Sequence, residues 1–256
     1  MSNIKNAFKN GKAFIGFLTA GDPSLDKTEE FILSMVDAGA DLIEIGIPFS
    51  DPVAEGRVIQ RANIRALSVG TTLEKIFNMV KAVRLKTQVP IVFLTYLNPV
   101  FRFGYDHFFR ECSENGVDGV IIPDIPFEEK GELMPFSEKY GIDIISLVAP
   151  TSEARIAKIA NSAQGYVYCV SSMGVTGVRS EIKTDLPSLL SAIKATTNIP
   201  TAVGFGISTP QQAAEISKYA DGIIVGSAIV KIIEEHGTNS AEYLYEYVKD
   251  MKQAIG

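Results

Sequence analysis

A chain of 256 residues with 46% hydrophobic and 21% charged side chains and a mean hydropathy of +0.15 is neither disordered nor low in complexity and has enough apolar material for a large core. Its net charge of −6, from 24 basic and 30 acidic residues, leaves no basic footprint for a nucleic-acid backbone. The polar, basic start MSNIKNAFKNGK lacks the apolar stretch of a secretory signal and no apolar run reaches the ~18 residues of a membrane span, so a cytoplasmic protein with no nucleic-acid or membrane partner is expected.

In chain order, the apolar run 13–20 comes first, then a segment with helical periodicity at 27–38 and a second apolar run at 42–49. Helical pattern at 73–85 leads to the run 91–96, and 101–115 leads to 119–124 and 143–149. The pattern then repeats: 154–160 before 166–172, 186–195 before 201–206, and 211–219, opened by the N-cap pair Thr209-Pro210, before 222–227. Most of these eight runs are nearly continuous in Val, Ile, Leu and Phe, as parallel strands covered on both faces should be. Eight strand and helix alternations in this length predict an α/β fold of the (β/α)8 TIM barrel type. With no linker or composition shift, residues 1–256 are expected to form one domain. Cys112 falls in a helical segment and Cys169 in a strand run, and both read as reduced core residues.

Barrel chemistry sits where the strands end. In the second run Ile43, Ile45 and Ile47 share one face and Leu42, Glu44 and Gly46 the other. The branched face suits the helix layer, so Glu44 is expected to point into the barrel. Burial would raise its pKa towards the range in which a carboxyl group both gives and takes a proton, although a structural glutamate satisfied by hydrogen bonds fits the same pattern. The following loop holds Asp51, Pro52 and Glu55 at the rim. Glu55 either reaches back over the mouth to work with Glu44 or stays solvated, and Asp51 reads most simply as a turn residue.

Glycine-rich turns follow runs six, seven and eight: Gly174-Val175-Thr176-Gly177, then Gly204-Phe205-Gly206, then Gly226-Ser227, which opens a helix. Backbone N–H groups in such turns are anion donors, and this trio in this order predicts a phosphate site. No strand run contains lysine, which disfavours Schiff-base chemistry, and His107 and His236 lie far apart in helical segments, so no metal site is expected.

The stretch Glu44-Ile45-Gly46-Ile47-Pro48-Phe49-Ser50-Asp51-Pro52 closely resembles the signature of the tryptophan synthase alpha chain family. The segments Phe17-Leu18-Thr19-Ala20-Gly21-Asp22-Pro23, Tyr96-Leu97-Asn98-Pro99, Pro123-Asp124-Ile125-Pro126 and the three glycine turns resemble it in the same order. The resemblance implies a cytoplasmic lyase of tryptophan biosynthesis that cleaves indole-3-glycerol phosphate to indole and glyceraldehyde 3-phosphate. It also implies delivery of indole to a beta chain in an allosteric alpha2beta2 heterotetramer. It implies Glu44 and Glu55 as catalytic, Asp124 as their support, and Phe17, Tyr168, Thr176, Gly177, Gly206, Gly226 and Ser227 as substrate-binding. Asp51, Pro52, Asn98 and Pro99 are implied at the partner interface. No cofactor is implied in this chain, pyridoxal phosphate belonging to the beta partner. The chain departs from the family pattern at one place, where Asp-Gly-Pro is replaced by Glu55-Gly56-Arg57. The rival readings are another phosphate-binding barrel, such as an indole-glycerol phosphate synthase or a sugar-phosphate isomerase, and a catalytically weakened barrel kept to regulate a beta partner.

Overall fold

A parallel strand with packing on both faces has no solvent side, and β1 (Ala13–Thr19) and β2 (Leu42–Gly46) are buried at every position. The computed structural model describes residues 2–150, 153–170, 186–204 and 206–256. Further strands are β3 (Ile91–Leu94), β4 (Gly119–Ile121), β5 (Asp143–Ile144), β6 (Ser146–Val148), β7 (Val167–Val170), β8 (Thr201–Gly204) and β9 (Gly222–Val225). Their order in the sheet is β5-β4-β3-β2-β1-β9-β8-β7-β6, and every adjacent pair is parallel. Only Ile145 separates β5 from β6, and its N–H donates to the carbonyl of Val120 at 2.9 Å. The fifth run therefore pairs with β4 through its first half and with β7 through its second, which closes the ring as a (β/α)8 barrel.

Two apolar layers follow from the period of the strands. Ala13, Ile15, Leu42, Val92, Ile121 and Ile224 pack inside the barrel, whereas Phe14, Leu18, Ile43, Ile45 and Phe93 pack outward against the helices. The isoleucine face of β2 thus meets the helix layer, as expected, and Leu42 and Glu44 turn inward.

The helices are α1 (Leu25–Asp37), α2 (Arg57–Ser68), α3 (Leu73–Arg84), α4 (Leu97–Phe103), α5 (Tyr105–Glu114), α6 (Met134–Tyr140), α7 (Glu153–Asn161), α8 (Leu186–Lys194), α9 (Pro210–Ser217), α10 (Ser227–His236) and α11 (Ser240–Ile255). Ser24, Thr72 and Thr209 cap α1, α3 and α9 through their side chains, and Thr209 with Gln212 completes a capping box. The periodic segment 101–115 is two helices and not one: Gly104 takes φ 91°, a left-handed conformation that ends α4 and starts α5. Helix α2 buries Ile59, Ala62, Asn63 and Ala66. The helix is rich in arginine and other polar residues, and the face it buries is made largely of small residues and an amide, so it carries few large apolar side chains for the sequence to show. Both cysteines are buried and reduced. Among the described residues, no helix is long and apolar enough to cross a membrane.

The N-terminal end of the barrel is closed. Ile4, in the 3-10 helix Ile4–Phe8, is fully buried under the strand ends. Asp118 accepts hydrogen bonds from the N–H groups of Asn3 and Ile91 and from Arg84 at 2.8–2.9 Å. Chemistry is left to the opposite end.

Candidate active site

Strand register places the first candidates side by side. Phe17 on β1 is the partner of Glu44 on β2, and Thr19 is the partner of Gly46. Glu44 is 1% exposed. The hydroxyl of Tyr166, just before β7 on the far side of the barrel, donates to Glu44 Oε1 at 2.6 Å, while Oε2 has no hydrogen-bond partner. Burial raises the Glu44 pKa to about 7, against a smaller opposing effect of the Tyr166 hydrogen bond. One carboxylate oxygen is therefore anchored and the other is open to exchange a proton.

Glu55 arrives by a different route. The segment between β2 and α2 folds back over the mouth, so that Glu55 is only 8% exposed. Asn63 on α2 donates to Glu55 Oε2 at 2.7 Å, and the hydroxyl of Tyr96 makes a second hydrogen bond to the carboxylate. Tyr96 also accepts from the Ala54 N–H at 3.1 Å, which ties the loop to the end of β3. Burial again dominates and raises the Glu55 pKa to about 7, with Asn63 and Tyr96 opposing it. The two carboxyl groups share no hydrogen bond: each has its own partners.

Two glycines make room for two aromatic rings. A Cβ on Gly46 would lie 2.7 Å from the Phe17 ring, and a Cβ on Gly204 would lie 2.3 Å from the Tyr168 hydroxyl. A Cβ on Gly226, the N-cap of α10, would meet the Phe17 ring at 3.3 Å. Phe17 thus spans the distance from Gly46 to the start of α10, where Ser227 is the first residue. The N–H groups of that first turn have no side-chain cap. Gly206 follows β8 with φ 86°. Thr176 and Gly177 lie outside the described residues.

Asp124 is exposed, and its Oδ1 accepts from the Leu97 N–H at 2.9 Å at the start of α4. It thereby holds the turn that carries Tyr96, one step removed from Glu55. Asp51 and Asn98 are exposed, and Pro52 and Pro99 are half-buried, on the two segments that flank Tyr96 and Glu55. Three contributors were not singled out from the sequence: Tyr166, Tyr96 and Asn63. Tyr166 was legible as the residue two before Tyr168 on the same strand face, and Tyr96 as the first residue of a family-like motif; Asn63 carried no comparable signal.

The family model for the tryptophan synthase alpha chain matches residues 2–256. The chain is 48% identical to a tryptophan synthase alpha chain of Lacticaseibacillus casei, over 100% of this chain and 96% of that one. It is 51% identical to that of Geobacillus thermodenitrificans, over 88% of this chain and 85% of that one. Among solved structures it is similar to Mycobacterium tuberculosis tryptophan synthase, with TM-score 0.90, 35% identity and coverage of 99% of this chain and 98% of that one. It is likewise similar to the tryptophan synthase a2b2 complex of Pyrococcus furiosus, with TM-score 0.88, 38% identity and coverage of 95% and 99%. A family model that covers the chain and relatives near half identity lead to one conclusion: this chain belongs to the tryptophan synthase alpha chain family.

Proposed function

We propose that the chain acts as one barrel domain that cleaves indole-3-glycerol phosphate to indole and glyceraldehyde 3-phosphate and passes indole to a beta chain. The observation that carries this reading is Glu44, buried in the barrel with one oxygen anchored by Tyr166, the other unpartnered and its pKa lifted to about 7. A retro-aldol cleavage of this substrate needs one proton added at indole C3 and one removed from the adjacent glycerol hydroxyl. Protonation of C3 makes the ring an iminium-like electron acceptor. Loss of the hydroxyl proton forms the aldehyde C=O, the C–C bond breaks, and its electron pair restores the indole. No proton is gained or lost overall, so a single carboxyl group poised near neutrality serves both transfers.

Glu55 then stabilises positive charge at the indole N–H. Phe17 and Tyr168 flank the ring, and the turns at Gly206 and Gly226 with Ser227 take the phosphate on backbone N–H groups, helped by Thr176 and Gly177. Asp124 supports Glu55 through the Tyr96 turn. Asp51, Pro52, Asn98 and Pro99 face the beta chain in an alpha2beta2 assembly. None of these steps calls on a cofactor or metal in this chain. The test is indole release from indole-3-glycerol phosphate with and without a beta chain. Turnover that rises on complex formation supports the reading; no turnover in either state would instead favour a barrel kept to regulate its partner.

A further inference from the structure

A cation withdrawn from water without a counter-ion is costly for a fold to hold. Lys130, in the 3-10 helix Phe127–Glu132, is 8% exposed. Its Nζ donates to the carbonyl of Ile144 at 2.9 Å and to Ser146 Oγ at 3.1 Å, the two neutral acceptors that flank the single-residue break between β5 and β6. An ammonium has three N–H donors, so a third remains. Among the described residues no carboxylate forms an ion pair with Lys130, and Asp143 on β5 attracts it only at longer range. Burial consequently lowers its pKa to about 8.

Beside this lysine is a cavity of about 200 Å³, lined by Lys130 and Arg155 together with Pro123, Phe127, Leu147 and Ile159. It lies between the 3-10 helix, the strand break and α7, with Ile145 and Leu147 of the inner layer in its wall, and among the described residues none of the candidate catalytic or substrate-binding residues lines it. The Arg155 guanidinium is paired with Glu128 at 2.9 Å, and Lys158 sits 5.2 Å from the Phe127 ring centre. Among the described residues the charged groups that line the cavity are Lys130 and Arg155, with Glu128 engaged by Arg155, Lys158 beside Phe127 and Asp143 at longer range from Lys130.

We propose that this cavity is a binding site for a small aromatic carboxylate, with Lys130 as its buried anion partner and Arg155 at its rim. The walls disfavour a bare, strongly hydrated anion, because apart from Lys130, Arg155 and Ser146 they are proline, phenylalanine and aliphatic side chains that cannot replace its water. The volume limits the apolar part. A cavity of ~150 Å³ accepts a benzene ring, while sites for drug-sized ligands start near ~300 Å³, so one ring and one carboxylate is the fitting size. The carboxylate accepts the third N–H of Lys130 and supplies the missing counter-charge.

Benzoate and its neutral isostere benzamide are the probes, titrated into the full chain by calorimetry and mapped by backbone amide chemical shifts. Benzoate is expected to bind one-to-one and at least about tenfold more tightly than benzamide, since a hydrogen bond between two charged groups is stronger than one to a neutral amide. Shifts should concentrate at Phe127, Lys130, Ser146 and Leu147. Lys130→Met should remove the preference for benzoate, and Arg155→Gln, at the rim, should weaken benzoate by only a few-fold. Because Lys130 also bridges the strand break, the wild-type shift map and Arg155→Gln stand independently of whether Lys130→Met folds. Equal affinity for the two probes, no saturable binding, undiminished benzoate binding by folded Lys130→Met, or shifts confined to the mouth around Gly226 would each overturn the proposal.

Discussion

Glu44 lies in the middle of a strand hydrogen-bonded to β1 and β3, whereas Glu55 lies in the loop that precedes α2 and is held by its side-chain contacts to Asn63 and Tyr96. Burial raises both carboxyl groups to the same range, about 7. Equal protonation behaviour therefore does not require equal rigidity. A strand fixes a side chain through the backbone of its neighbours, so a change in length at Glu44 would move the carboxyl group with nothing to compensate. A loop adjusts its own path, which accounts for how a glutamate occupies position 55 where the family pattern has aspartate. The contrast predicts a strict site at 44 and a tolerant one at 55.

The largest effect is expected at the strict site. Glu44→Gln keeps volume and the acceptor for Tyr166 but removes the exchangeable proton, and kcat for indole release should fall by ~10²–10⁴-fold with circular dichroism unchanged. A variant that retains more than about a tenth of wild-type kcat would remove Glu44 from the proton-moving role.

The same substitution should stabilise the fold at alkaline pH. The folded-state pKa of Glu44, about 7, lies above the ordinary value of 4.5, so the folded chain binds the proton more tightly than the unfolded chain. Between these two values stability falls as pH rises, and above 7 the full penalty is present, on the order of 3 kcal/mol. Urea unfolding should show Glu44→Gln more stable than wild type at pH 8, with the gap closing towards pH 4.5. A gap independent of pH would mean that Glu44 is not the group being neutralised on folding.

At the tolerant site, Glu55→Ala should lower kcat by about 10²-fold, whereas Glu55→Asp should stay within about tenfold of wild type. Asn63→Ala leaves the carboxylate and removes its anchor, and its kcat should fall between the two. If Glu55→Asp proves as damaging as Glu55→Ala, the loop does not adjust to the length of the side chain it carries.

How far the sequence revealed the site follows the same division. Glu44 was readable because strand alternation is a strict period, and the isoleucines at 43, 45 and 47 left no other direction for it. Phe17 and Gly46 were readable in kind, but their mutual fit depends on strand register, which pairs residues distant in the chain. Tyr166 was hidden by the same distance, lying 122 residues from Glu44 and across the barrel. Asn63 was hidden for another reason: one more polar residue on a helix already rich in polar residues looks like surface until the loop in front of it is placed. The divided fifth strand and Lys130, which bridges it through two neutral acceptors, left no trace in hydrophobic pattern, because a break of one residue does not interrupt an apolar run.

The smallest effect distinguishes anchoring from catalysis at Glu44. Tyr166 donates to the carboxylate and so favours its ionised form, opposing the larger effect of burial. Tyr166→Phe retains the ring, and hence the burial, but deletes the donor. With burial no longer opposed, the Glu44 pKa must move further up. Whichever limb of the kcat/KM against pH profile belongs to Glu44 should therefore move to higher pH, with a modest fall in kcat at the optimum because the carboxylate loses its fixed orientation. Glu55 shares no hydrogen bond with Tyr166, so the second limb should stay in place. A purely structural role for Tyr166 would lower stability and leave both limbs where they were. A shift to lower pH would contradict the desolvation argument itself, since only a net gain of stabilisation by the carboxylate form could produce it.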